Sequence, residues 1–180
     1  MRLQSILLLA LAAAGYAQVS GEDVLQAFAE RPTAQVVWSQ EIARIAVDGV
    51  QATISAIGMT DSAAPSSSMK GVRIALGDAN GEEHVYVSQE ALAANIRALE
   101  EISTNAPQFF ARHPTGEQMS CFGAGYFWMR PHVAFAASEC QTANSRFLAV
   151  RGGRDFQFAG LDAHAFADAL VRASHELARR

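Results

Sequence analysis

Few residues of this chain combine a reactive type with a telling spacing, and the only two cysteines come first. A hairpin centred on Arg130-Pro131 pairs Met129 with His132, and the same register sets Cys121 opposite Cys140. Proline fits poorly at the second central position of a two-residue primed turn, so the loop is drawn from Met129 to His132. Counted from a closing pair Trp128–Val133, the cysteines fall at a non-hydrogen-bonded position, where side chains come closer. A structural disulfide is the first reading, with a redox-active pair and two free thiols as alternatives. Cys-x-x-Cys, the usual redox spacing, is absent.

The five histidines, His84, His113, His132, His164 and His175, follow no metal-binding spacing. His164 and His175 share a helix face but stand about 16 Å apart at 1.5 Å per residue, too far for one ion. Neither His-Glu-x-x-His nor a cysteine-histidine cluster occurs, so no metal and no cofactor are expected. Ser67-Ser68-Met69-Lys70 matches the Ser-x-x-Lys of penicillin-recognising enzymes, where the serine starts a buried helix and two further motifs accompany it. Here the serine belongs to a polar stretch ahead of a strand, and the companions are missing. Gly-x-Ser-x-Gly and phosphate-cradling loops are absent as well, and Gly123-Ala124-Gly125 reads as a bulge or a close backbone approach. No catalytic residues are assigned.

Aromatic residues are unevenly spread, clustering between Phe109 and Phe166. Tyr126 and Trp128 share one strand face. If the opposite face packs on a helix, theirs offers aromatic binding surface. Arg130, His132, Arg151 and Arg154 from neighbouring turns would form its polar rim. Core packing on both faces is the competing interpretation.

The elements that must hold these residues are strands followed by helices. Ser20 reads as a cap, with Asp23 completing a capping box and Val19 stapled to Val24, for a short helix ended by Pro32. Strands are expected at Gln35 to Glu41, at Ile45-Ala46-Val47 and at Val50 to Ile57, with Asp48-Gly49 as a hairpin turn. Residues 61–69 read as a polar loop. Val72 to Leu76 and His84 to Val87 flank a second turn, and Ser88 opens a helix to about Ser103 with Leu92, Ile96 and Leu99 on one stripe. Strands at Phe122 to Met129, Val133 to Ala137, Arg146 to Val150 and Phe156 to Phe158 follow. Asp162 then caps a helix burying Phe166, Leu170, Ala173 and Leu177.

The expected class is α+β, an antiparallel sheet with helices packed on one face, written as two tandem strand-rich-then-helix pseudo-repeats over about 35–105 and 119–178. The helix starts correspond: Val87-Ser88 with Leu92 matches Leu161-Asp162 with Phe166. The bland alternative is that any helix on a sheet needs a cap and a stripe. A duplicated four-strand-then-helix layout resembles, in topology alone, the architecture of whirly-type single-stranded nucleic-acid binders, and topology confers no function.

Arg2, the apolar run Ile6 to Ala14 and the small residues Gly15-Tyr16-Ala17 form a secretory signal peptide cleaved before Gln18. Residues 1–17 are the leader and 18–180 a single α+β domain. The chain has 14 basic and 18 acidic residues for a net charge of −4, and Arg2 leaves with the leader. Such an acidic domain has no electrostatic case for nucleic acid. The apolar leader is short for a membrane span, and no stable membrane insertion is expected after cleavage. Arginine almost replaces lysine and alanine is abundant, an association with GC-rich bacterial genomes. The destination is the periplasm or the exterior, where disulfides persist.

The leading functional expectation is an exported non-catalytic protein. It would bind an envelope or extracellular partner through its aromatic-rich C-terminal half, at Tyr126, Trp128, Arg130, His132, Arg151 and Arg154. The alternatives are a small hydrolase with a site assembled from distant residues such as His132, and an inhibitor or chaperone of an envelope enzyme. Ligand and oligomeric state are not written in the sequence.

Overall fold

The computed structural model describes residues 23–113, 119–123 and 136–180. A short helix α1 (Val24–Ala29) precedes four strands, β1 (Ala34–Val47), β2 (Val50–Asp61), β3 (Ala64–Asp78) and β4 (Gly81–Ser88), and helix α2 (Gln89–Arg112). The second half repeats that order with β5 (Ser120–Gly123), β6 (Ala136–Gln141), β7 (Arg146–Arg151), β8 (Asp155–Ala159) and α3 (Ala163–Arg179). Among the described residues the strands form two four-stranded antiparallel sheets, β1-β2-β3-β4 and β5-β6-β7-β8. The α+β class and the strands-then-helix order are therefore as expected.

Each first-half turn has a local cause. Asp48 and Gly49 both take positive φ, 47° and 81°, which is what a two-residue primed turn between Val47 and Val50 requires. Asp78 pairs with Gly81, and the Asp78 carboxylate accepts from the Asn80 N–H at 2.7 Å across the turn between them.

Several boundaries differ from expectation, β6 running on to Gln141 where a strand ending at Ala137 was expected, and three of the differences have a clear cause. Residues 34–47 form one strand, because register shifts at 36/38 and 41/43 absorb the breaks in the apolar alternation. The stretch 61–69 is mostly strand: Asp61 pairs with Ala64 and Thr60 with Ser68, so the hairpin turns at once after β2. Pro65 falls in the irregularity between those pairs, where no ladder N–H is demanded of it. Helix α2 runs nine residues past Ser103 despite Pro107, held by buried Ala106 and Phe110. Val19 and Ser20 lie outside the described residues. Asp23 is itself the cap of α1, accepting from Leu25 N–H at 2.9 Å.

Both long helices start as the sequence implies. Ser88 Oγ accepts from Ala91 N–H and Asp162 Oδ1 from Ala165 N–H, each at 3.3 Å and the same offset. Their apolar stripes enter one cluster shared by both sheets. It joins Ile54, Ile74, Leu76 and Val85 to Leu92 and Leu99 of α2, to Leu148, Val150, Phe156 and Phe158, and to Phe166, Leu170 and Leu177 of α3. Since β2 side chains alternate, Ile57 and Met59 face the other way, and there α1 covers them with Leu25 and Phe28. The long helices thus join the core face of the first sheet, and the short one closes part of its outer face.

Alanine at Gly58 would place Cβ 2.0 Å from Trp38 Nε1, so the indole has to move. Gly58→Ala should lower unfolding free energy by about 1–3 kcal/mol through overpacking. Phe166→Ala should cost about 3–5 kcal/mol through the cavity it leaves. Urea denaturation of both variants checks these values.

Candidate functional site

The expected cysteine register is the observed one. Cys121 pairs with Cys140 between Ser120–Gln141 and Phe122–Glu139, and the sulfurs stand 2.09 Å apart, at disulfide distance. The Cα separation of 4.1 Å is that of the closer, non-hydrogen-bonded class of cross-strand pair. Closing a loop of this length would contribute about 3 kcal/mol in the chain-entropy model. The pair lies away from the shared core, in a small cluster with Phe147 and Ala149. Alternation turns their neighbours inward: Phe122 packs against the core and on Phe109, with ring centroids 5.3 Å apart.

Tyr126, Trp128, Arg130 and His132 fall within 124–135, outside the described residues, as does the hairpin turn itself. Both ends of that segment are described. The chain leaves β5 at Gly123, two residues beyond Cys121, and re-enters at Ala136, which pairs with Arg151. The stem beneath the aromatic segment is therefore the cross-linked ribbon, and its return point adjoins the turn that carries Arg151 and Arg154.

Those two arginines are engaged within the fold. Arg151 makes a twofold contact with Asp155, Nε to Oδ1 at 2.5 Å and Nη2 to Oδ2 at 2.7 Å. Arg154 reaches the first sheet: Nη1 and Nη2 donate to the two Asp78 oxygens at 2.7 and 2.8 Å, and Nη2 also donates to the Gly81 carbonyl at 3.0 Å. Its guanidinium lies 4.3 Å from the Phe156 ring centroid. Glu83 Oε2 accepts from Gly153 N–H at 2.8 Å and Arg154 N–H at 3.2 Å. The β7–β8 turn is thus tied to the β3–β4 turn by paired forks, a geometry that fixes orientation as well as charge. Hydrogen bonding from Arg154 and from Asn80 N–H holds the Asp78 carboxyl down from 3.8 to about 2. Beside this tie an open groove of about 490 Å³ is lined by Gly49, Gln51, Gly77, Asp78 and Glu82.

Sequence reading missed Glu139, which is fully buried on the core side of β6. One carboxylate oxygen contacts Arg146 Nη2, and the other accepts from Ala163 N–H at 3.1 Å, in the first turn of α3. Arg146 in turn lies over Phe110 of α2, 5.3 Å from its centroid. An anion at a helix N-terminus is favoured by the exposed amides and the dipole, so Glu139 anchors α3 to the sheet. The one available signal was its place next to Cys140, which turns it inward. Asp78 and Glu83 were missed because they lie more than seventy residues from Arg154 in sequence.

The described histidines have local roles. His113 Nδ1 lies 2.9 Å from the Phe109 carbonyl and its ring stacks on Phe109. His84 pairs with Glu82, and His164 with Asp168 one turn along α3. His175 is exposed on the same helix. Ser67 and Lys70 lie within β3, not at the start of a helix as the Ser-x-x-Lys chemistry requires. Among the described residues no group of three potential metal ligands is present, and no helix is long and apolar enough to cross a membrane.

No protein-family model matches the chain, and no curated protein or solved structure matches it significantly.

The depressed Asp78 carboxyl favours its charged form in the fold. Its contribution to stability is therefore present above about pH 4 and is lost as pH falls toward 2. Arg154→Gln should flatten the pH dependence of stability in that window. Urea midpoints of parent and variant between pH 2 and 5 measure it, and parallel curves would contradict the assignment.

Proposed function

We propose that this chain is an exported, non-catalytic binding protein, acting on a protein or envelope partner through the segment 124–135. The observation that carries this reading is the stem. The pair Cys121–Cys140 braces the ribbon three residues before the segment begins, and the Arg151 turn flanks its return. Recognition residues commonly sit on loops held by a rigid scaffold, and bracing a loop lowers the entropy lost on binding. Tyr126, Trp128 and Arg130 are the side-chain types that most often dominate binding energy. Arg151 and Arg154 then serve as the fixed rim beneath them, with their charges balanced by Asp155, Asp78 and Glu83.

Export supports the same reading. The Ile6 to Ala14 run and Gly15-Tyr16-Ala17 specify a leader removed before Gln18, and the cysteines at disulfide distance suit the periplasm or the exterior of a bacterial cell. Residues 18–180 then act as a single domain built of two related units, since one apolar cluster draws on both. A braced loop is also what an inhibitor or chaperone of an envelope enzyme would present, using the same surface.

The combined variant Tyr126→Ala, Trp128→Ala, Arg130→Ala should recover at least tenfold less partner from a solubilised envelope fraction, with an unchanged circular dichroism spectrum. Undiminished recovery would remove this segment from the account. N-terminal sequencing of the protein from the periplasm or medium should begin at Gln18. Material that starts at Met1 would contradict export by this leader.

A further inference from the structure

The outer face of the first sheet carries an arginine with no ion-pair or hydrogen-bond partner among the described residues. Arg73 lies on the central strand β3, half-buried, with Ser55 of β2 and Tyr86 of β4 directly across from it. Its Nε is shielded from water and has no hydrogen-bond partner among the described residues. Nη1 and Nη2 have none either among the described residues, but they are not shielded in the same way, so they remain open to solvent. Acids on the other strands of the sheet are taken: Glu41 by Arg44, Asp61 by Arg31, Glu82 by His84, and Glu83 by Arg154 and the turn amides. Asp23, beside the end of β4 two residues past Tyr86, is taken by the Ser88 and Leu25 N–H groups. On one side α1 and the Ile57–Met59 cluster, into which Tyr86 packs, form an apolar wall.

A guanidinium presents a planar fork that matches an oxyanion, and the terminal nitrogens of this one meet no protein acceptor among the described residues. We propose that Arg73 is the centre of an oxyanion-binding site on the outer face of the first sheet. The fork takes a carboxylate or phosphate group end-on through Nη1 and Nη2. Ser55 and Tyr86 place a hydroxyl-bearing residue on each flank of the strand. The site uses none of the residues of segment 124–135.

Nuclear magnetic resonance titration reads the site directly. Sodium phosphate and sodium acetate are added separately to the 15N-labelled mature protein at pH 7, with sodium chloride at matched ionic strength as the reference. Saturable shifts of the Arg73 Nε–Hε signal and of the Ser55 and Tyr86 amides are expected with at least one oxyanion. The oxyanion that saturates at lower concentration identifies the source chemistry. Arg73→Gln should weaken binding about tenfold or more, and Arg73→Lys, which keeps the charge but loses the fork, should weaken it several-fold. The lysine variant keeps the test decisive if the glutamine variant fails to fold. Shifts that never saturate, that chloride reproduces, or that persist in the variants would overturn the proposal.

Discussion

The register of the β5–β6 ribbon is the constraint on which the second half of the molecule depends. Strand side chains alternate with period two, so a slip by one residue would turn every side chain of a strand to the opposite face. With Cys121 against Cys140, Phe122 and Glu139 face inward together. Phe122 can then reach Phe109 of α2, and Glu139 can meet both Arg146 and the first turn of α3. A slipped ribbon would bury a cysteine in the core and leave the α3 amide without its carboxylate. The cross-link excludes that alternative covalently, where packing alone would exclude it only by energy.

A second tie joins the halves at their turns. Arg154 spans from the β7–β8 turn to Asp78 and Glu83, while the apolar cluster between the sheets supplies the larger but non-directional attraction. The two contributions differ in kind. Burial holds the sheets together, and the forked ion pair sets which turn stands beside which. Because Asp78 is screened only in part from solvent, the tie matters for geometry more than for total stability.

What the sequence made legible was local. Ser88 and Asp162 announced two helices because caps act within three residues of themselves. Asp48-Gly49 announced its turn through the φ values it tolerates, and the cysteines announced a register through simple counting. The illegible features arise from tertiary pairing. Residues 64–69 are polar and still form strand because β2 offers a partner. The alternation in β1 is hidden by two bulges, and Pro107 sits in a helix that packing sustains. Of the candidate site, Arg151 and Arg154 were identified but not their partners, Arg73 carried no local signal, and Glu139 carried only its place beside Cys140.

For a binding role the consequence is a division of labour, in which the strands and helices fix the stem and the segment it carries makes the contact. That claim is tested most directly by photo-cross-linking in living cells. A photoreactive residue at Trp128 should trap a partner within the envelope, while the same residue at exposed Val37 on β1 should trap none above background. Cross-links from position 37 with silence from position 128 would contradict the account.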